Sequence, residues 1–230
     1  MLKKIGIVGC GWLGQPLATL LSQDFAVECF VRNKIEENSS FWQNDIIIVA
    51  INTKDNYLVA LRNIAKLTNP ASNIILMSST SVYKEFNNEI NESVEIKGLS
   101  LQKEAEDLMS SLRDNLLILR LGGLMGDDRV AGKWKSISAF EDGKVNYIHK
   151  DDVINITKIM IEKNIIKGIY NLVAPIHPLR SKVHEKNSKD FGFEFGSFSG
   201  MTNRVVSSQK LIKELDYNFL YPNPLEFWSK

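Results

Sequence analysis

The chain alternates short apolar runs with stretches in which apolar residues recur every three or four positions. Near-continuous apolar runs are typical of strands that are buried on both faces of a parallel sheet. Such runs are predicted as strands at 3–8, 25–31, 45–52, 73–78, 116–121 and 168–173. Helical periodicity predicts helices at 13–21, 56–68, 101–112, 152–162, 181–191 and 207–215. This alternation predicts an α/β fold with a Rossmann-type, doubly wound parallel sheet.

The regularity of this pattern decreases after residue 130. We therefore predict a dinucleotide-binding Rossmann core at 1–130 and a small C-terminal substrate lobe at 131–230 that completes the same domain. We expect this lobe to cover the carboxyl edge of the sheet, where ligands of such folds bind. Only about a dozen residues separate Arg32 from Asp45, which leaves room for one short helix and little more. Ser100 is the predicted N-cap of the 101–112 helix, and Asp151 or Asp152 that of the 152–162 helix.

Between the first predicted strand and helix lies the segment Gly9-Cys10-Gly11-Trp12-Leu13-Gly14. In a dinucleotide-binding loop, Gly9 permits the tight turn, Gly11 lets the backbone approach a pyrophosphate, and Gly14 allows close packing of helix on strand. The N-terminus of the helix presents N–H groups to the phosphates, and Pro16 fits its first turn. The position of the motif between a strand and a helix favours dinucleotide binding over a purely structural glycine turn, which stays open as the alternative.

The end of the second predicted strand indicates which dinucleotide is bound. An acidic residue at this point binds the ribose 2′-hydroxyl of NAD, whereas an arginine accommodates the 2′-phosphate of NADP. Arg32 occupies this place, with Lys34 beside it and no acidic residue before Glu36. We therefore predict a preference for NADP over NAD; a solvated basic turn is the alternative.

Composition and charge exclude several classes of partner. The 230 residues are 44% hydrophobic and 24% charged, with a net charge of +1, so no electrostatic footprint for nucleic acid or an anionic membrane is present. No apolar stretch approaches the length of about 20 residues that spans a bilayer. A strand is predicted almost from the first residue, which leaves no room for a signal peptide. Cys10 and Cys29 are expected to be buried thiols in a cytoplasmic protein.

Further motifs accompany the glycine loop in a fixed order. They are Ser78-Ser79-Thr80-Ser81-Val82-Tyr83, Arg120-Leu121-Gly122-Gly123-Leu124-Met125-Gly126, Tyr147-Ile148-His149-Lys150-Asp151-Asp152-Val153 and Gly168-Ile169-Tyr170-Asn171. Together with the glycine loop they resemble the extended and atypical short-chain dehydrogenase/reductases, the NAD-dependent epimerase/dehydratase family, over nearly the whole chain. The combination of Gly-Trp-Leu-Gly-x-Pro-Leu with Ser-Ser-Thr-Ser-Val-Tyr is closest to the YeeZ-like branch of that family.

The resemblance implies a hydride transfer in which a tyrosine is the acid/base, a lysine four residues later lowers its pKa and holds the nicotinamide ribose, and a Ser or Thr orients the substrate. Ser79 matches the Ser/Thr and Lys103 the lysine, but the tyrosine position is Leu99. The Asp-Glu pair of the family's dehydratases is here Thr80-Ser81, which disfavours dehydratase chemistry.

Other residues carry smaller predictions. The resemblance adds four residues to the cofactor site: Trp12, Leu13, Asn52 and Ser78. Trp12 either shields the pyrophosphate or packs the loop. Tyr83 is expected to be a packed, hydrogen-bonded ring, and His149 either lies near the substrate or fixes a local turn. His177 and His184 have no further ligands at metal spacing, so no metal is predicted.

We therefore predict an NAD(P)-binding oxidoreductase or epimerase that acts on a small hydroxylated or sugar-nucleotide-like molecule without the usual tyrosine. The missing base would be water or another side chain. The alternative is a catalytically inactive, NADP(H)-binding sensor or regulatory protein. By analogy with the family, a homodimer would form through the 56–68 and 101–112 helices.

Overall fold

The structure is a computed structural model that describes residues 2–30, 40–53, 56–126, 128–133 and 139–228. Its largest sheet contains six strands: β1 (Lys4–Val8), β2 (Ala26–Phe30), β3 (Ile46–Val49), β4 (Asn73–Ser79), β6 (Leu116–Leu121) and β10 (Gly168–Leu172). Their order across the sheet is β10-β6-β4-β3-β1-β2. The pairs β1–β2, β1–β3 and β3–β4 are parallel. The predicted Rossmann-type α/β fold is thereby confirmed.

The described ranges contain six α-helices: α1 (Gly14–Leu21), α2 (Tyr57–Leu67), α3 (Leu101–Leu112), α4 (Lys150–Glu162), α5 (Arg180–Phe191) and α6 (Gln209–Leu215). The bounds of α3 agree with the prediction, and the Ser100 Oγ accepts a hydrogen bond of 3.1 Å from the Lys103 N–H, as expected for an N-cap. A short 3-10 helix at Ser40–Gln43 precedes β3.

Short strands form three further pairs. They are β5 (Glu89–Ile90), β7 (Gly123–Met125), β8 (Ala139–Gly143), β9 (Tyr147–His149), β11 (Ser197–Thr202) and β12 (Val205–Val206). Strand β7 pairs with β9, β8 with β11, and β5 with β12, and all three pairs are parallel. The sequence pattern predicted none of these six strands.

Two compact units make up the chain. The first contains the residues up to Val82 together with Ile96–Arg120 and Ile154–Ile169, and the second contains Tyr83–Glu95, Leu121–Val153 and the residues from Tyr170 onward. Every residue of β3 is buried, as expected for a strand covered on both faces. Phe30, at the end of β2, forms an aromatic cluster with Phe41 and Trp42 of the 3-10 helix, and the ring centroids lie 5.0–5.2 Å apart.

The predicted start of α4 is wrong, because the helix begins at Lys150 and neither aspartate precedes it as a cap. The Asp152 side chain is fully buried. Its carboxylate accepts hydrogen bonds from the Tyr217 hydroxyl at 2.7 Å and from the N–H groups of Leu220 and Tyr221 at 2.8 and 3.0 Å. Asp152 therefore anchors the C-terminal segment of the second unit instead of capping a helix.

Candidate functional site

The glycine loop, residues 9–14, connects β1 to α1 in the first unit. Gly9 adopts a φ of +102°, and a Cβ atom at this position would lie 2.5 Å from the backbone oxygen of Ala50. This close approach follows from the pairing of β1 with β3, since the Ala50 N–H donates to the Val8 carbonyl at 2.8 Å. A side chain at position 9 would thus be excluded both by the turn and by the neighbouring strand.

The other two glycines have opposite environments. A Cβ at Gly14 would lie 2.2 Å from the Gly9 carbonyl oxygen, so α1 can begin this close to the loop only with glycine at its first position. Gly11, by contrast, is exposed, and a Cβ at this position would have no atom within 4 Å. The loop therefore presents open space at Gly11 beside the N-terminus of α1, which has no side-chain cap. This arrangement fits the approach of a pyrophosphate to backbone N–H groups.

The remaining predicted cofactor residues differ in exposure. Trp12 is partly buried and Leu13 is buried under the loop. Asn52 is exposed just beyond the end of β3, at the same strand ends as the loop. Arg32, on which the NADP preference depends, lies outside the described residues, so that preference stays a prediction.

The prediction of two buried thiols is wrong. Cys10, within the glycine loop, forms a disulfide with Cys29 of β2 across a Cα–Cα distance of 5.9 Å, and Cys29 is exposed. The parallel pairing places Cys29 beside Ile7, and the turn at Gly9 brings Cys10 back over it. The sequence spacing of 19 residues could not show this contact, which depends on the register between β1 and β2.

Ser78 and Ser79 end strand β4, and their hydroxyls have different partners. The Ser78 Oγ donates to Glu106 Oε1 at 2.6 Å, so this hydroxyl is directed toward α3. The Ser79 Oγ accepts from the Ser81 N–H at 3.1 Å and remains partly exposed. Ser79 is therefore placed at the strand end with a hydroxyl proton available for another acceptor.

A buried ion pair that the sequence analysis did not predict lies behind Ser78. Arg120 of β6 donates to Glu106 of α3 through Nε at 3.0 and 3.2 Å and through Nη2 at 2.6 Å. Glu106 and Arg120 are 3% and 4% exposed. A charged residue inside the apolar run of β6 was the available signal, because buried charges require a partner. The pair ties β4, α3 and β6 together beneath the predicted catalytic serine.

Lys103, the predicted ribose-binding lysine, lies in the first turn of α3. Its Nζ lies 2.5 and 2.6 Å from the two carboxylate oxygens of Asp107, one helical turn further on. Leu99, at the position of the family's tyrosine, is 84% exposed just before the N-cap. The structure therefore brings Ser79 and Lys103 into one unit but places no acid/base at position 99.

Two predicted residues of the second unit have structural roles. Tyr83 is fully buried and donates to Asn171 Oδ1 at 3.1 Å, which confirms the expected packed, hydrogen-bonded ring. His149 is buried, stacks on Tyr221 with ring centroids 3.8 Å apart, and accepts the Asp151 N–H on Nδ1 at 3.2 Å. This geometry supports the interpretation that His149 fixes a local turn.

The second unit also holds a buried, perturbed histidine. His184 is 1% exposed and packs edge-on against Phe140 at a centroid distance of 4.8 Å. Burial and the positive charge of Arg180 lower its pKa to about 4.

Among the residues described, no helix is long and apolar enough to cross a membrane.

No family model matches the chain. The chain is 26% identical over 270 aligned positions to the protein YeeZ of Escherichia coli, an alignment that covers 97% of this chain and 98% of YeeZ.

Solved structures share its fold. A Methylobacillus flagellatus protein assigned to the NAD-dependent epimerase/dehydratases superposes with a TM-score of 0.78 at 20% identity, covering 99% of this chain and 97% of that one. The human epimerase family protein SDR39U1, solved with NADPH, superposes with a TM-score of 0.74 at 12% identity, covering 97% of each chain. The chain is thus similar to YeeZ over nearly its whole length and has the fold of NAD-dependent epimerase/dehydratase proteins, which confirms the resemblance found in its motifs.

Proposed function

We propose that this protein binds a nicotinamide dinucleotide on the glycine loop and acts as an atypical short-chain oxidoreductase or epimerase on a small hydroxylated or sugar-nucleotide-like molecule. The observation that carries the proposal is the loop itself, in which Gly9 and Gly14 are each required by close backbone contacts while Gly11 faces open space. The solved human neighbour contains NADPH and the Methylobacillus neighbour is named for NAD, which supports this class of cofactor.

The residues of the first unit fit the binding of a nicotinamide dinucleotide. Its pyrophosphate would lie against Gly11 and the N-terminus of α1, where backbone N–H groups and the helix dipole favour negative charge. Arg32 would select NADP by pairing with the 2′-phosphate. When bound, a nicotinamide supplies or accepts the hydride. The assignment of residues 131–230 to substrate contacts stays a prediction.

Ser79 and Lys103 would orient the reacting groups. Ser79 retains a hydroxyl proton that can be donated to a substrate oxygen, because its own oxygen is the acceptor in its contact with Ser81. Lys103 would leave Asp107 to hold the ribose. This exchange costs little, because the Asp107 side chain is 63% exposed and an exposed ion pair contributes little free energy. The proton transfer that accompanies hydride transfer would use water or another side chain, since position 99 carries leucine.

A second candidate function has specific support. Leu99 offers no acid/base, and the Lys103 ammonium is already paired with the Asp107 carboxylate. Both observations favour a protein that binds the dinucleotide and has lost catalysis, as a sensor or regulatory protein would.

Turnover separates the two candidates. We would measure NADPH and NADH oxidation by a panel of aldehydes, ketones and keto sugars with the wild type, Leu99→Tyr and Lys103→Met. The oxidoreductase proposal predicts activity in the wild type, a loss of at least about tenfold in Lys103→Met, and a gain in Leu99→Tyr. Cofactor binding without turnover in any variant would overturn the enzyme proposal in favour of the sensor.

A further inference from the structure

The disulfide between Cys10 and Cys29 joins the glycine loop to the neighbouring strand. Cys10 is the residue directly before Gly11, and Cys29 lies in β2, one residue from its end. Their Cα–Cα distance of 5.9 Å is within the range that unstrained disulfides adopt. The bond is therefore located at the part of the loop where a pyrophosphate would approach.

One side of this disulfide is accessible to a reductant. Cys29 is exposed on β2, which is the outermost strand in the order β10-β6-β4-β3-β1-β2, and Cys10 is partly buried. Thiol–disulfide exchange requires that a thiolate reach a sulfur atom, and exposed disulfides belong to the labile class. A dithiol can therefore attack the Cys29 sulfur without unfolding of β1 or β2.

Close backbone contacts hold both ends of the loop, and the Gly11 carbonyl accepts a hydrogen bond of 2.9 Å from the Gln15 N–H of α1. Gly9 packs against Ala50 at one end, and Gly14 packs against the Gly9 carbonyl at the other. At Gly11 a Cβ atom would have no neighbour within 4 Å. The disulfide at Cys10 adds a covalent anchor directly beside this open position.

We propose that Cys10 and Cys29 form a reversible thiol–disulfide site that fixes the glycine loop when oxidised and releases it when reduced. The effect on cofactor affinity rests on the proposed function of the loop. In the reduction, a dithiol thiolate attacks the Cys29 sulfur, the disulfide bond breaks, and Cys10 leaves as a thiolate that takes up a proton. The second thiol of the reductant then displaces Cys29, so two electrons and two protons pass to the protein and the dithiol becomes a cyclic disulfide.

The test compares oxidised and dithiothreitol-reduced wild type with Cys29→Ser. Amide hydrogen exchange of Gln15 and Leu17, whose N–H groups donate to the loop carbonyls of Gly11 and Leu13 at 2.9 and 3.2 Å, reports the loop, and a titration with NADPH reports cofactor affinity. Ala26→Ser is the matched control, because Ala26 is also exposed on β2 and the disulfide stays intact. We expect faster amide exchange in the reduced form and about tenfold weaker NADPH binding. A tenfold change in affinity is about what it costs to order the backbone of one residue when the cofactor binds. Cys29→Ser should match the reduced form with or without dithiothreitol, and Ala26→Ser should respond as the wild type does.

Each contrary result has a distinct meaning. Two titratable thiols in protein that has been treated with oxidised glutathione would overturn the proposal, since the bond would not form. Equal exchange and equal NADPH affinity in both redox states would also overturn it, while leaving the proposed function intact. Faster exchange in the reduced form without NADPH or NADH binding in either state would support the thiol–disulfide site and contradict the proposed function.

Discussion

Replacing Glu106 by Gln would remove the negative charge that faces Arg120 while preserving the shape of the side chain. Both side chains are at most 5% exposed, so the guanidinium would remain buried after losing the carboxylate charge that it contacts. Removal of one partner of a buried ion pair typically costs about 3–5 kcal/mol. For a chain of this size that cost corresponds to a decrease in Tm of about 6–20 °C. The decrease should be visible in thermal and urea unfolding followed by circular dichroism.

A double variant makes this test specific. Glu106→Leu combined with Arg120→Met removes both charges, and such replacements are often neutral relative to the intact pair. The Ser78 hydroxyl would still lose its acceptor, which leaves a residual cost of about 1 kcal/mol. Glu104→Gln is the control on the exposed face of the same helix, where we expect a change within about 0.5 kcal/mol.

The reasoning would be refuted in either of two ways. A change in the free energy of unfolding of less than about 1 kcal/mol in Glu106→Gln, about the error of such measurements, would mean that the charges are solvated. A loss in the double variant equal to the sum of the losses in Glu106→Leu and Arg120→Met, each measured alone, would mean that the side chains contribute by packing and not as a coupled pair.

Three further predictions follow from single contacts. Gly14→Ala should lower the free energy of unfolding by about 1–3 kcal/mol in urea denaturation, because the new methyl would lie 2.2 Å from the Gly9 carbonyl oxygen; unchanged stability would contradict the tight start of α1. Arg113→Lys should cost about 2–4 kcal/mol in the same assay, because the Arg113 guanidinium donates to five backbone carbonyls around the end of α2; a cost below 0.5 kcal/mol (the size of an ordinary surface substitution) would argue against this role. His184 has a folded-state pKa of about 4 against 6.5 in the unfolded chain, so its contribution to stability is complete above pH 6.5 and is lost as pH falls toward 4. The Tm of His184→Phe should therefore depend less on pH in this window than that of the wild type, and parallel curves would count against the prediction.

The sequence was most informative where local pattern and chemistry agree. The α3 helix has its predicted bounds because Ser100 caps it and buried residues such as Ala105 and Met109 recur at helical spacing. Inner strands of the six-stranded sheet such as β3 and β6 were predictable because every residue in them is buried and they consist of nearly continuous apolar residues. The glycine loop was predictable because its context between strand and helix is specific.

The remainder depends on contacts between distant residues. Strands β8 and β11 pair although residues 139–143 and 197–202 show no regular alternation of apolar and polar side chains. Asp152 had the sequence context of a helix cap, but its partners lie 65 to 69 residues further along the chain. Cys29 lies in an apolar run, so exposure on an outermost strand and pairing with Cys10 could not be anticipated from the sequence.

The central claim, that the glycine loop binds a nicotinamide dinucleotide, is tested most directly by a titration with NADPH and NADH. Energy transfer from tryptophan to the reduced nicotinamide provides the signal. Gly11→Val fills the open position of the loop without meeting any atom within 4 Å of its Cβ, so it should fold normally and lose binding. Ala26→Val, at the opposite end of β2 from the loop, is the control that should bind as the wild type does.

We predict micromolar binding of NADPH by the wild type, weaker binding of NADH, and loss of the NADPH preference in Arg32→Ala. The absence of binding of both dinucleotides to the folded wild type, or undiminished binding to Gly11→Val, would contradict the account.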